Sequence, residues 1–196
     1  MLNKIKVCVH NILNSRNILL LHFKKAVVGC NFRMKGSLRI LGKGSNITIG
    51  DNFYGQSGIR YNPVGLGKPF VLQIIDDGKI RIGNNVGMSN CVICAQDLVE
   101  IGDFSNIGGG TLIMDTDCHS LILEERLSYP DPGIKHRPVK IGNGVFIGAN
   151  CIIMKGSFIG DRAVIGAGSV VSGTIPEGEI WAGNPAKFIK KVETIR

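Results

Sequence analysis

The sequence predicts an all-β solenoid of short parallel strands. Three observations carry this: a six-residue repeat, an excess of glycine and a shortage of aromatic residues. From residue 141 the chain divides into sixes that open on Ile141, Ile147, Ile153, Ile159, Ile165 and Val171. The second position is usually Gly, and the fifth is small or β-branched (Val145, Cys151, Ser157, Ala163, Ser169, Ile175). A 3.6-residue helix cannot hold such a period, and a single strand repeats every two residues. Stacked coils hold it. Each six gives one flat face with an aliphatic side chain inside, the small residue that follows lets the chain turn, and three faces close a coil of about eighteen residues. Ordinary short strands of a sandwich would lose register over six successive repeats. Glycine supplies 27 of the 196 residues, well above the usual ~7%, and aromatics only 6%, as expected for many tight corners.

Taken in order, the chain opens with a basic segment, residues 1–36. Residues 1–50 hold nine Lys or Arg and no acid, so the whole net charge of +8 arises there. Ile5, Val9, Ile12, Leu13, Leu19, Leu20 and Phe23 fall at helical spacing, which predicts an amphipathic helix. Such a helix either lies on an anionic membrane surface or packs against its own or a neighbouring subunit. The apolar run Ile18–Leu21 is far short of the ~20 residues of a membrane span, and no small-residue cleavage site follows it. Nucleic-acid binding is not expected, because aromatic interleaving and a recognisable module are missing. The solenoid covers 37–191, with its frame at Ile49, Ile82, Met88 and Cys94, a slip of one residue, then Ile101, Ile107 and Ile113. It stops for an inserted loop, 114–140, and leaves a tail at 192–196. The six scattered cysteines read as reduced thiols of a cytoplasmic protein, one that could sit at the inner membrane surface.

The hexads, with Ile165-Gly-Ala-Gly-Ser-Val-Val, Ile175-Pro176 and Trp181-Ala-Gly-Asn-Pro-Ala-Lys-Phe-Ile-Lys-Lys191, resemble the hexapeptide-repeat acyltransferases. Within that family the pattern is similar to maltose and galactoside acetyltransferases, and most of all to the branch found among capsule and O-antigen enzymes. The resemblance implies a left-handed parallel β-helix with an N-terminal amphipathic helix, one long catalytic loop and a short C-terminal helix. It also implies a homotrimer whose active sites lie between subunits, with acetyl-CoA as donor, a sugar or glycan as acceptor and no metal.

The loop opens Met114-Asp-Thr-Asp-Cys-His119, and the resemblance puts the catalytic histidine at His119. Transfer from a thioester to a hydroxyl needs a general base, and an imidazole, ordinarily titrating near ~6.5, suits that task. A lone loop histidine also fits a structural role; its place at the repeat break favours catalysis. Asp117 would fix the imidazole or bind the sugar, and Asp115 reads as a turn residue. His10, His22 and His136 read as surface residues. The resemblance makes Asn90, then Ser89, the acceptor-binding candidates, with an internal ladder at a coil corner as the other reading of Asn90. For the donor, the resemblance implies that Ala149, Ala167 and Ser172 line a pantetheine groove. Gly183 and Pro185 would form its terminal turn, and Lys187 and Lys190 would meet the CoA phosphates unless they are only a solvated tail.

The resulting expectation is an O-acetyltransferase of capsule, O-antigen or exopolysaccharide synthesis, working in a ternary complex without an acyl-enzyme. The alternatives are N-acetylation of an amino-sugar nucleotide or other small amine, and a non-catalytic membrane-surface solenoid. A three-histidine zinc hydratase of the same fold does not fit, since only His119 and His136 fall in or beside the repeats, and Cys91-x-x-Cys94 lacks a second pair.

Overall fold

A computed structural model describes residues 14–193, and the first six coils run in order down the chain. The first is β1 (Val27–Val28), β2 (Arg33–Lys35) and β3 (Leu38–Leu41); the second is β4 (Ile47–Ile49), β5 (Tyr54–Gln56) and β6 (Phe70–Ile74). The third is β7 (Lys79–Ile82), β8 (Gly87–Ser89) and β9 (Val92–Ala95); the fourth is β10 (Leu98–Ile101), β11 (Asn106–Ile107) and β12 (Leu112–Met114). The fifth is β13 (Val139–Ile141), β14 (Phe146–Ile147) and β15 (Ile152–Ile153); the sixth is β16 (Phe158–Ile159), β17 (Val164–Ile165) and β18 (Val170–Val171). A last partial coil, β19 (Thr174–Ile175) and β20 (Glu179–Ala182), ends in β21 (Lys187–Lys191). Every third strand pairs in parallel, giving three sheets that form the faces of a triangular prism.

Register explains the repeat. On sheet one, Ile49, Ile82, Ile101, Ile141, Ile159 and Ile175 are successive partners. On sheet three the column is Ile40, Leu72, Ile93, Ile113, Ile153 and Val171. All are buried, and each full burial contributes about 1.5–3 kcal/mol. The fifth-position residues Val145, Cys151, Ser157, Ala163 and Ser169 are buried too, filling the space behind the corners. Ile93, not Cys94, is the inward member of its strand. Cys94 faces outward and is buried nonetheless, because a loop lies over it.

The first corner, between sheets one and two, is uniform. Asn31, Asn52, Asn85, Phe104 and Arg162 take left-handed backbone there, as does Gly144. Asp51, Asn84, Asp103, Asn143 and Asp161 each accept a backbone N–H from the coil before through a side-chain oxygen. The other two corners each carry an interruption. Residues 57–69 leave the second corner, between β5 and β6, and residues 115–138 leave the third, between β12 and β13. The first of these interruptions has no counterpart in the sequence reading.

Two elements differ from expectation. The C-terminal segment is a strand: β21 runs antiparallel to β20 after the turn at Gly183–Ala186. No helix forms because Val170 N–H bonds to Gly183 O, and Ala186 N–H to Val170 O, fix the turn against the sixth coil and send the chain back along sheet two. The N-terminal helix, α1, is described from residue 14 to 23, and Ile5, Val9, Ile12 and Leu13 lie outside the described residues. Strands β1 and β2 already fall within the segment 1–36. α1 ends in a Schellman turn with Lys25 at φ 59°, Lys25 N–H bonding to His22 O and Ala26 N–H to Leu21 O. It docks by asparagines. Asn14 bonds Phe32 O and Met34 N–H, and Asn17 bonds Gly36 O and Leu38 N–H, so both cover the open edge of the first coil. Leu21 is buried beside them, while Leu19 and Phe23 point away.

Candidate active site

The loop at the third corner is a hairpin braced at its base. Arg137 N–H bonds to Asp115 O, Asp117 N–H to Lys135 O, and Thr116 bridges His136. Asp115 anchors the start: its buried carboxylate accepts the N–H of Gln96 at 2.7 Å and of Asp97 at 2.8 Å. Burial pushes this carboxyl above its ordinary range, against the pull of those two donors. Thr116 Oγ1 donates to Gln96 Oε1 and accepts Cys118 N–H, which turns the chain through Cys118 at φ 61°. Cys118 then covers Cys94, whose thiol is pushed up to about 11, by burial first and by Cys118 and Asp115 next.

That turn delivers His119. Its side chain is 72% exposed, and Nδ1 lies 3.7 Å from Asp131 Oδ2, within ion-pair reach and beyond hydrogen-bond length. Asp131 is itself 9% exposed and fixed: Oδ2 accepts Ser120 N–H at 2.8 Å and Oδ1 accepts Gly133 N–H at 3.0 Å. These donors, with His119 as a smaller cause, hold the Asp131 carboxyl below its usual range, the Ser120 N–H contributing most. Ser120 is the knot of the loop. Its Oγ donates to Glu125 Oε2 at 2.6 Å and accepts Ile122 N–H, and its carbonyl takes Arg126 from the short helix α2 (Leu123–Arg126). A Cβ on Gly133 would run into Ser120 Oγ and Glu125 Oε2, so this approach requires glycine.

A cavity of about 790 Å³ opens here, lined among others by Gln96, Cys118, His119, Arg126, Asp131 and His136. The sequence reading put His136 on the surface; half exposed, it lines this same cavity with Nδ1 3.6 Å from Asp97 Oδ2. Asp131, Ser120 and His136 were missed as site residues. The Asp131-Pro-Gly133 turn was a visible signal for an Asx-type brace.

Other candidates sit elsewhere. Asp117 pairs with Lys155 Nζ at 2.8 Å, leaving Asp131 as the carboxylate beside His119. Asn90 is fully enclosed at φ 49°: Oδ1 accepts Gly58 N–H and Nδ2 donates to the carbonyls of Asn62 and Val64. Its amide therefore holds the loop 57–69 and presents no unused group to a ligand. Ser89 lies on β8 with Oγ 3.4 Å from Gln56 Oε1. Both belong to the second corner, at the far end of sheet three from His119. Ala149, Ala167, Gly183 and Pro185 form a column down that second corner, one coil after another, while Ser172 lies at the third. Lys187 and Lys190 are exposed on β21; Lys190 reaches Glu193 at 2.9 Å, and Lys187 has no ion-pair partner among the described residues. Among the described residues no three His, Cys, Asp or Glu side chains converge as a metal site.

A prism of hexads, broken by a long loop that holds an imidazole over an open cavity, is the architecture of a hexapeptide-repeat transferase. The family model for the bacterial transferase hexapeptide (six repeats) matches residues 138–173. The chain is 32% identical over 152 residues to Escherichia coli WbbJ, named as an O-acetyl transferase of lipopolysaccharide biosynthesis, covering 74% of this chain and 72% of that one. It is 31% identical over 149 residues to the Escherichia coli galactoside O-acetyltransferase, covering 76% of this chain and 56% of that one. This chain thus spans little more than half of the second relative. Among solved structures, Bacillus cereus AntD, an N-acyltransferase in complex with dTDP and 3-hydroxybutyryl-CoA, superposes with a TM-score of 0.68. Its identity is 20%, over 88% of this chain and 87% of AntD, and the likeness is one of fold. The chain belongs to the hexapeptide-repeat acetyltransferase family, and its three-sheet prism is that family's left-handed parallel β-helix.

Proposed function

We propose that this protein transfers an acetyl group from acetyl-CoA to a hydroxyl of a sugar or glycan, with His119 as general base. The observation that carries the reading is the pose of His119. It is solvent-open in a cavity, has Asp131 at its Nδ1 side, and rides on a loop braced by the hydrogen bonds of Ser120 and Asp131. Nε2 is then the nitrogen left to take the proton of an attacking hydroxyl. As the new O–C bond forms and the thioester C–S bond breaks, the imidazolium returns that proton to the CoA thiolate, and Asp131 balances the transient positive charge. Sugar hydroxyls are favoured as acceptors because the two relatives described above, aligned over 152 and 149 residues, are named for O-acetyl transfer.

The second-corner column of Ala149, Ala167, Gly183 and Pro185 offers the donor groove, with Lys187 and Lys190 at its far end for phosphates. Groove and base occupy different edges of one prism. A site between subunits follows, the third corner of one prism against the second corner of its neighbour, as in a homotrimer. Exposed Phe146, Ile152 and Phe158 on the flat faces suit such contacts. The protein would work in the cytoplasm on capsule, O-antigen or exopolysaccharide precursors.

The test is acetyl-CoA-dependent thiol release over nucleotide sugars, amino sugars and short glycan fragments. Release that requires a hydroxyl acceptor and vanishes in His119→Ala is expected; release with amines alone would overturn the O-transfer reading. In the same assay His119→Ala and Ala167→Tyr, each silent by itself, should regain activity when mixed. No regain would place groove and base in a single subunit.

A further inference from the structure

The N-terminal helix presents the wrong face for a helix that serves only its own subunit. Its docking side is served by polar and apolar groups together, Asn14 and Asn17 on the sheet edge with Leu21 buried and Leu20 packed against the core. Its outward side pairs apolar residues with a cation: Leu19 is 66% and Phe23 82% exposed beside Arg16, with Ile18 at 47% on the flank and Val27 at 60% just beyond the Lys25 turn. At 100° per residue Arg16, Leu19 and Phe23 form one stripe directly opposite that docking side. The flanking charge is of one sign, since residues 1–50 contain nine Lys or Arg and no Asp or Glu.

We infer that this end of the prism is a docking surface for an anionic lipid bilayer, which it meets end-on. Apolar side chains of an interfacial helix enter the headgroup boundary while cations beside them meet anionic lipid, at about 1 kcal/mol per basic residue. The sign and placement of the charge favour lipid over a second copy of the chain: two such ends facing each other would bring two acid-free segments together. No described helix is long and apolar enough to cross a membrane, so the helix lies on the surface. The pose has a geometric consequence. The loop bearing His119 leaves the fourth coil, three rungs from the docked end, or roughly 14 Å at strand spacing. A glycan carried on a membrane-anchored lipid would meet the cavity at that height.

The test is co-sedimentation of the full chain with vesicles of phosphatidylcholine containing phosphatidylglycerol, and with pure phosphatidylcholine vesicles. Binding is expected with the anionic vesicles only and should weaken as salt rises. Leu19→Glu/Phe23→Glu should abolish it, and Arg16→Glu/Lys25→Glu, which replaces two exposed residues, should weaken it about tenfold or more, both at an unchanged melting temperature. Failure of the intact chain to bind anionic vesicles would overturn the inference, and so would equal binding to neutral vesicles that neither variant alters. A fall in assembly mass by light scattering in Leu19→Glu/Phe23→Glu without lipid would also overturn it, showing that a second copy covers this face.

Discussion

The loops at the second and third corners interrupt the same repeat at neighbouring edges, yet they do opposite things with their polar groups. Residues 57–69 are held by one enclosed amide: Asn90 satisfies Gly58, Asn62 and Val64, three positions that would otherwise leave backbone groups unpaired. Residues 115–138 are braced through Asp115, Ser120 and Asp131, and that bracing leaves the imidazoles of His119 and His136 open to a cavity. Length and irregularity are shared by both loops. The two loops differ in what they leave open: 115–138 turns two imidazoles into a cavity, whereas 57–69 contains no histidine.

The comparison breaks most sharply by exchanging the two losses. His119→Ala should lower turnover by about 10²–10⁴-fold with the melting temperature unchanged, as expected for a general base and not for a packed residue. Asn90→Ala should do the reverse. Orphaning the groups it holds costs about 1–3 kcal/mol, read as a lower denaturation midpoint and new proteolytic cleavage within 57–69. If Asn90→Ala alters only the Michaelis constant for acceptor, leaving stability intact, its assignment as a loop anchor is wrong.

A smaller effect belongs to Asp131. Because its folded carboxyl titrates below the ordinary range, its contribution to loop order is present above the unfolded value, near ~3.9, and is lost as pH falls through the lower folded value. Hydrogen exchange across 115–138 should therefore accelerate in acid before the prism itself opens, and Asp131→Asn should remove that acid step. The same variant should reduce turnover by about tenfold while leaving the Michaelis constant for acetyl-CoA in place, since it acts through His119. An unchanged acid profile in Asp131→Asn would assign the bracing to other groups.

The smallest change concerns the corner without a loop. Phe104 stands at φ 60° in a column otherwise occupied mainly by Asn and Gly, a backbone region that costs a bulky residue about 1–2 kcal/mol. Phe104→Asn should raise stability by up to about 1 kcal/mol without affecting turnover. A destabilised Phe104→Asn would mean that the exposed ring has a contact of its own.

Most of the prism was legible because its cause is local and periodic. Ile at every sixth position encodes the inward column directly, and the point where that spacing fails marks where His119 leaves the wall. The partners of His119 were not legible. Asp131 lies far along the loop and meets the imidazole only through turns at Cys118 and Gly133 that no spacing encodes. The engagement of Asn90 depends on a loop some thirty residues earlier in the chain. The C-terminal strand could have been found: Gly183-Asn-Pro-Ala between two apolar stretches is a turn signal, and the resemblance to a helix-ended pattern overrode it. At the N-terminus, helical periodicity identified the helix but not its orientation, because the decisive contacts come from asparagines that a hydrophobic pattern passes over.

Those asparagines have one more consequence. A stack of parallel rungs is, in principle, a polymer: each exposed edge invites another rung, from the same chain or from another molecule. Here both ends are stopped by something that does not repeat. Asn14 and Asn17 occupy the hydrogen-bonding positions of β2 and the start of β3 at one end, and a reversed strand studded with Lys187, Lys190 and Lys191 closes sheet two at the other. The length of the column is therefore set by its terminators rather than by its hexads, and rungs could be gained or lost in the middle without opening a path to fibres.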